Sequence, residues 1–517
     1  MNKAGWDALG LVFLDPQVWI TIPLAAVYGI FVGAVPGLTA TMAVALFVPL
    51  AYWMQPVPAL AAIVTMTACA IFAGDIPTTL LRIPGTPASA AYADDAYYFT
   101  RRGRSQTALG TGLLSSVLGG LGGAVVLMVL GAQLAWVATS FSAAEYFWLY
   151  LLGLSCAVVV TQGSVLKAMF GLLLGLLFST VGLSPVHASA RFTFGQAELL
   201  EGISFIPAMI GLFGISEVLG NLLREPTAGT IPPQENIHSS HRKFISFFSQ
   251  TFAPAWQMVK QRKTPLLRST GIGALIGMLP GAGADIAAWV SLAVSKKSST
   301  PGMEESQQRL QGLSDASTAN SAALAGGWIP ALVFGIPGDS VTAIVIGVLM
   351  MKNVKPGPEI FEKDAALVYS IYILFVLANL LMLPIGLLAI KAAGLVVRVP
   401  QNVLLPIIVL FCTVGSFAIK GSYFDVGIML LMGVLGWLLD QRQVPLGAIV
   451  LGIILGGPLE ERFVQTLTTA DGSWLAFVNR PVSLILGIFC LLLWTWTLAR
   501  HLLAWNKTRT ASISPGN

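Results

Sequence analysis

Gly29-Ile-Phe-Val-Gly33-Ala-Val-Pro36-Gly37, near the start of the chain, returns 244 residues later as Gly273-Ala-Leu-Ile-Gly277-Met-Leu-Pro280-Gly281. The shared pattern is G-x-x-x-G-x-x-P-G. Downstream of the first copy, Ile76-Pro77 is followed by Ile83-Pro84-Gly85. Downstream of the second, Ile329-Pro330 is followed by Ile336-Pro337-Gly338, 253 residues further on. Two motifs in the same order, twice, mark an internal duplication. Proline removes a helix hydrogen bond and glycine opens backbone shapes closed to other residues, so each motif breaks a helix.

The composition says what solvent those helices meet. Of 517 residues, 55% are hydrophobic and 10% charged, whereas a soluble protein carries about 25% charged residues to cover its surface. That excludes a soluble enzyme, a secreted disulfide scaffold and a disordered chain. Cys69, Cys156, Cys412 and Cys490 are scattered in apolar runs with neither metal-ligand nor disulfide spacing, and four histidines make no metal pattern. The net charge of +5 calls for no nucleic acid, because basic cytoplasmic loops of a membrane protein give the same excess. Met1 to Gln17 lacks a basic start and a cleavage site, so the first span is expected to stay in the mature protein.

A bilayer core of about 30 Å takes about 20 apolar residues per helix. Apolar segments fall near 18–54, 57–73, 76–99, 108–133, 144–163, 165–185 and 197–221, then near 266–295, 316–351, 365–395, 403–419, 422–439, 443–457 and 481–504. The expected fold is all-α and polytopic, with about 11–14 membrane segments in two repeats. Residues 1–221 form the first half, 222–265 a polar, basic cytoplasmic linker, 266–505 the second half and 506–517 a cytoplasmic tail. Charge suggests that the repeats are inverted. The loop Ala51–Pro58 is uncharged but its counterpart carries Lys296 and Lys297, while Arg101-Arg102-Gly103-Arg104 answers a stretch of balanced charge, Lys352–Asp364. This requires 266–295 to be a re-entrant hairpin or a pair of half-helices.

In lipid an unpaired backbone group costs several kcal/mol, so broken helices survive where they line a cavity or pack against protein. Matched breaks in two halves point to a transporter site near the midplane. Half-helix N-termini suit a carboxylate and freed carbonyls suit a cation. The breaks place Gly37, Thr39 and Thr41, Pro84, Gly85, Thr86 and Ser89, Gly281 and Gly283, and Gly338 and Ser340 as substrate-binding candidates. The two G-x-x-x-G pairs have a second reading, close helix packing. Asp75, Asp285 and Asp339 lie beside the breaks as candidates for ion coupling; Asp is also a preferred helix N-cap. Lys167, Arg191, Glu145 and Glu198, at segment ends, read as snorkelling side chains.

Five blocks of residues resemble one family. They are Gly33-Ala-Val-Pro-Gly-Leu38, Ile83-Pro-Gly-Thr-Pro-Ala-Ser89, Arg191-Phe-Thr-Phe-Gly195, Gly277-Met-Leu-Pro-Gly-Ala-Gly283 and Leu332-Val-Phe-Gly-Ile-Pro-Gly338. In this order the chain resembles the large membrane subunit of tripartite tricarboxylate transporters (TctA-type), over about residues 18 to 500. The resemblance implies a bacterial inner-membrane uptake system with a small four-helix membrane subunit and a periplasmic substrate-binding protein. It implies secondary transport of a small organic carboxylate by symport with Na+ or H+, and no other cofactor. It also adds Asn320 and Ser321 to the substrate-binding candidates. Ser317, Asn320 and Ser321 stand where the family has an acidic residue and an Asn-Asn pair. Asp75, Asp285 and Asp339 replace small or hydroxyl residues, and Arg82 replaces Asn.

Two other classes compete. Asp75 and Asp339 are two membrane-embedded acids, as an intramembrane aspartyl protease requires, but they lack the G-x-G-D context and leave the duplicated breaks without a purpose. A channel, or a carboxylate transporter acting alone, would also use broken helices. Uptake abolished by dissipating ion gradients separates transporter from channel.

Overall fold

The computed structural model describes residues 3–35, 38–160, 164–184, 188–223, 242–281, 283–298, 303–396 and 401–513. In the first half, α1 is Lys3–Phe13, α2 Pro16–Ala34, α3 Ala40–Trp53 and α4 Pro56–Ala73, which bends at Gly74 into α5 (Asp75–Leu81). There follow α6 (Ala93–Thr100), α7 (Ser105–Ala138), α8 (Ala143–Val160), α9 (Val165–Ser179) and a two-residue antiparallel pair, Gly182–Leu183 with Ala190–Arg191. Next, α10 (Phe205–Met209) passes through a π-helical turn into α11 (Ser216–Leu223). The second half contains α12 (Arg242–Gln261), α13 (Lys263–Gly277), α14 (Gly283–Lys297), α15 (Glu305–Phe334), α16 (Ser340–Met351), α17 (Ile360–Lys363) and α18 (Ala365–Val396). It closes with α19 (Gln401–Lys420), α20 (Tyr423–Gln441), α21 (Leu446–Thr469) and α22 (Pro481–Ile513).

The chain is a multi-pass helical membrane protein. Among the described residues six helices are long and apolar enough to cross a bilayer: Pro16–Ala34, Pro56–Leu81, Ser105–Ala138, Phe205–Leu222, Ala365–Ala393 and Tyr423–Gln441. Shorter apolar helices, such as Ala40–Trp53 and Ser340–Met351, accompany them. Large apolar side chains, including Trp53, Trp136, Leu431 and Leu491, stand exposed, as lipid-facing surfaces require. The largely apolar interior also takes in polar groups: α15 buries Ser314, Asp315, Ser317, Thr318, Asn320 and Ser321 along one helix.

Some segment boundaries move. The apolar run 18–54 is two helices parted after Ala34. The run 76–99 is not one helix, because α5 ends at Arg82 in a left-handed conformation (φ 61°) and an irregular stretch follows. Residues 266–295 form two 15-residue helices, α13 and α14, as the pair of half-helices foresaw. The polar stretch before them carries α12, which packs on α7; a side chain at Gly110 of α7 would come 2.3 Å from the Thr251 carbonyl oxygen.

By contact the chain forms two compact units, each drawing on both sequence halves: Met1–Thr139 with Ser204–Arg442, and Ser140–Ile203 with Gln443–Asn517. In the first unit the duplication is visible atom by atom. Helix α2 packs on α4, and α13 on α15. A Cβ added at Gly29 or Gly33 would come 2.3 Å from the carbonyl oxygen of Met66 or Ala70; at Gly273 or Gly277 it would come 2.2 or 2.3 Å from that of Ala319 or Ala323. Met66 and Ala319, like Ala70 and Ala323, are 253 residues apart, the spacing of the second motif. The first motif of each half thus lies on the helix carrying the second motif, at the same register. For these four glycines close packing is what the geometry supports. The halves also interlock: α7 runs along α15 and α18 along α4, while α3 meets α16 and α14 meets the turn before α6.

The second unit pairs α8 and α9 with α21 and α22. Gly175 presses on the Ile449 carbonyl, where a Cβ would lie 2.0 Å away. Two of the side chains read as snorkelling are instead paired. Arg191 holds Glu460 with both guanidinium nitrogens at 3.0 Å, and Glu145, its side chain 1% exposed, takes Arg480 at 3.1 Å.

Candidate functional site

Each second break is closed by the same backbone lock. After α5 the chain folds back so that Gly85 meets Gly74, where an added Cβ would lie 2.6 Å from the Gly74 Cα; after α15, Gly338 meets Gly327, at 2.7 Å from its Cα. These pairs are again 253 residues apart. The residues that follow bond reciprocally, in a turn in the first half and as a helix cap in the second. Thr86 N–H donates to Ser89 Oγ (3.1 Å) and Ser89 N–H to Thr86 Oγ1 (3.2 Å). Asp339 N–H donates to Thr342 Oγ1 (2.9 Å) and Thr342 N–H to Asp339 Oδ1 (2.8 Å). This is a capping box at the start of α16. Thr78 pins the first loop, accepting from Gly85 N–H at 3.1 Å and lying 2.8 Å from Ser89 Oγ.

The breaks converge on three acids. Gly281 N–H donates to the Gly338 carbonyl at 2.9 Å, and a Cβ at Gly283 would lie 3.9 Å from that of Asp339, so the two motifs of the second half touch. Asp285, at the start of α14, takes the Ala88 backbone N–H and lies within electrostatic range of Asp339. Tyr92, one turn beyond Ala88, feels Asp285 and donates its hydroxyl to Asp75 Oδ1 at 2.5 Å. Ser317 of α15 lies beside both Asp75 and Tyr92. Gly112 of α7 closes this corner, since a side chain there would come 2.9 Å from Asp75 Oδ2.

The electrostatics set these acids apart. Asp315, fully buried, is paired with Arg262 and Arg268; Asp95 is paired with Arg309 and Lys296. Among the described residues no Lys or Arg forms an ion pair with Asp75, Asp285 or Asp339. Asp75 is buried, whereas Asp285 and Asp339 are half-buried at the starts of α14 and α16, where backbone N–H groups answer part of their charge. The buried hydroxyl of Ser321 has no protein hydrogen bond and is available to a ligand or water. Among the described residues no three His, Cys, Asp or Glu side chains assemble as a metal-ion cage.

Of the candidates read from sequence, Gly281, Gly283, Asp285, Gly338 and Asp339 come together, and Asp75 joins them through Tyr92. Ser89 and Thr86 exchange hydrogen bonds in a turn, with Gly85 buried beneath them and Pro84 exposed. Ser340 opens α16, and Asn320 and Ser321 lie buried on α15, one turn after Ser317. Thr39 caps α3 by accepting from Met42 N–H at 3.1 Å, and Thr41 follows, half-buried. Gly37 lies outside the described residues. Tyr92 and Ala88 were not foreseen; an aromatic hydroxyl three residues after Ser89 was the available signal for Tyr92. Asp75 and Asp339 are each engaged by a different hydroxyl, Tyr92 and Thr342.

A lipid-facing helical body with duplicated breaks around acids that pair with no Lys or Arg among the described residues has the make-up of a membrane transport protein. The comparisons narrow the class: the chain belongs to the tripartite tricarboxylate transporter TctA family, whose model matches residues 20–451. An uncharacterized 52.8 kDa protein in the TAR-I ttuC' 3' region of Agrobacterium vitis is 31% identical over 480 residues, covering 92% of each chain. An uncharacterized protein in the TAR-II ttuC' 3' region of the same organism is 31% identical over 224 residues, 43% of this chain and 93% of its own. No solved structure matches the chain.

Proposed function

We propose that this chain is the large, translocating subunit of a binding-protein-dependent secondary transporter in the bacterial inner membrane. It takes up a small organic carboxylate by symport with Na+ or H+. A periplasmic binding protein delivers the substrate, and a small four-helix membrane subunit completes the complex. The observation that supports this reading is the meeting of three acids, none in an ion pair with a Lys or Arg among the described residues, with the Pro-Gly breaks of both halves. The backbone N–H of Gly283 and the hydroxyl of Ser340, at the starts of α14 and α16, suit the carboxylate, and Asp75, Asp285 and Asp339 suit the driving cation. The halves are related by inverted topology, so that one repeat element moves against the other to alternate access.

The test is uptake of labelled di- and tricarboxylates by cells carrying the complete system. Asp285→Asn should abolish uptake driven by an ion gradient while the protein still inserts in the membrane. Uptake that follows the substrate gradient alone, indifferent to ionophores, favours a channel and sinks the symport reading. Single cysteines in Ala51–Pro58 and beside Lys296 should be labelled from opposite sides; labelling from one side defeats the inverted relation.

A further inference from the structure

Outside the buried site, four arginines converge on one concavity. Arg82, Arg101, Arg102 and Arg309, with Tyr97 and Tyr98, line a hollow of about 480 Å³. Only one acid, Asp94, is part of its wall, and it pairs with Arg82 at 2.6 Å. Arg309 is committed to Asp95 and Glu305. Arg101 and Arg102 form no ion pair among the described residues. Arg102 stacks on the Tyr98 ring, its guanidinium carbon 3.7 Å from the centroid, and Arg309 approaches the same ring at 4.7 Å. Arg82 and Arg309 are answered by carboxylates, so Arg101 and Arg102 are the charges of this wall that no acid answers among the described residues, and they favour an incoming anion. Stacking also holds Arg102 in place, which lowers the entropy lost when a ligand binds.

A second observation comes from the duplication. Arg82 sits in the left-handed region at φ 61°, ψ 23°, and its counterpart 253 residues on is Gly335, at φ 68°, ψ 22°. Glycine fills this conformation without penalty, and arginine does not. At the same backbone position, then, the first half carries a strained cation where the second half has none, and that cation reaches the hollow beside the Pro84-Gly85 break.

We propose that this hollow is an anion site, separate from the buried acids, which takes a multi-oxygen anion through the forked guanidinium groups of Arg101 and Arg102, with Arg82 contributing charge. A polycarboxylate and the phosphate of an anionic lipid share this chemistry. The proposal stands independently of the symport reading.

The experiment uses the full chain in nanodiscs. In phosphatidylcholine discs, citrate and inorganic phosphate are titrated calorimetrically; in discs containing phosphatidylglycerol, retained lipid is counted by native mass spectrometry. Arg101→Gln with Arg102→Gln should weaken the binding at least tenfold, and Arg101→Lys with Arg102→Lys should fall between that variant and wild type because charge remains but the fork is lost. Arg82→Gly should weaken it several-fold, and the affinity should fall as salt rises. Asp285→Asn, in the buried site, should leave it within twofold, so failure here and failure of the transport site read out separately. Arginine-dependent citrate or phosphate binding identifies a free anion, and arginine-dependent phosphatidylglycerol retention identifies a lipid headgroup. If none of the three probes depends on Arg101 and Arg102, the proposal is overturned. Melting temperatures of the variants, whose changed side chains are exposed, guard against misfolding as the cause of lost binding.

Discussion

Gly273→Ala tests whether the duplicated glycines hold helices together or hold a ligand. The added Cβ would lie 2.2 Å from the Ala319 carbonyl oxygen, 2.8 Å from its Cα and 2.9 Å from its carbonyl carbon. All three atoms are backbone, so no side chain can rotate away. Bringing the nearest contact to a tolerable 3.0–3.4 Å requires α13 to withdraw from α15 by about 0.8–1.2 Å, and overpacking of this kind costs about 1–3 kcal/mol. Gly271, two residues earlier on the same helix, provides the control. Nothing lies within 4 Å of its Cβ position, so Gly271→Ala should be neutral or should stabilise by up to about 1 kcal/mol through helix propensity. The assay is reversible unfolding of the purified protein in detergent, titrated with a denaturing detergent. Because the register repeats, Gly29→Ala, at 2.3 Å from the Met66 carbonyl oxygen, should cost the same within about 1 kcal/mol. The packing reading fails if Gly273→Ala unfolds within about 0.5 kcal/mol of Gly271→Ala. A loss of uptake at unchanged stability would instead place Gly273 against a ligand.

Other perturbations probe charge and backbone. Arg262→Met strands the fully buried Asp315 with only the longer 3.6 Å contact to Arg268 and should cost about 3 kcal/mol; adding Asp315→Leu should restore at least half of that, measured by the same unfolding titration. Gly335→Ala should cost about 1 kcal/mol from left-handed strain alone, since its Cβ would have 3.6 Å of clearance. Arg82→Gly should not destabilise by more than about 0.5 kcal/mol, because released strain offsets the loss of an exposed ion pair; a larger loss would show that Arg82 does more for the fold than its backbone suggests.

Much of the scaffold is legible in sequence because it rests on residues whose backbone meaning is narrow. The helix breaks stand where the Pro-Gly motifs put them, and the spacings of 244 and 253 residues reappear as matched glycine contacts. What escapes is non-local. No periodicity tells that residues 140–203 pack with 443–517, or that Glu145 finds Arg480 and Arg191 finds Glu460 across more than 260 residues. A charge at a helix end reads as snorkelling until its partner is seen. Helix α12 escapes because its apolar residues alternate with polar ones and form no continuous apolar run. Tyr92 escapes because nothing in its own segment announces Asp75, 17 residues earlier, as its acceptor.

The comparison of the two halves separates scaffold from chemistry. Positions that agree between the repeats, Gly29 with Gly273 and Gly85 with Gly338, bear directly on backbone, and a side chain there would force the packed segments apart. Positions that differ are where charge enters. Asp75 answers to Trp328, Arg82 to Gly335, Thr86 to Asp339 and Thr41 to Asp285. Each pair shares a place along the repeat, so the fold does not dictate the charge; one scaffold carries an acid or a base in one half and a neutral group in the other. The reciprocal hydrogen bonds make the distinction sharpest. Thr86 and Ser89 exchange them in a turn, while Asp339 and Thr342 exchange them as a capping box at the start of α16. The same backbone exchange is thus made by a threonine in one half and by an aspartate in the other, and only the aspartate brings a carboxylate within electrostatic range of Asp285.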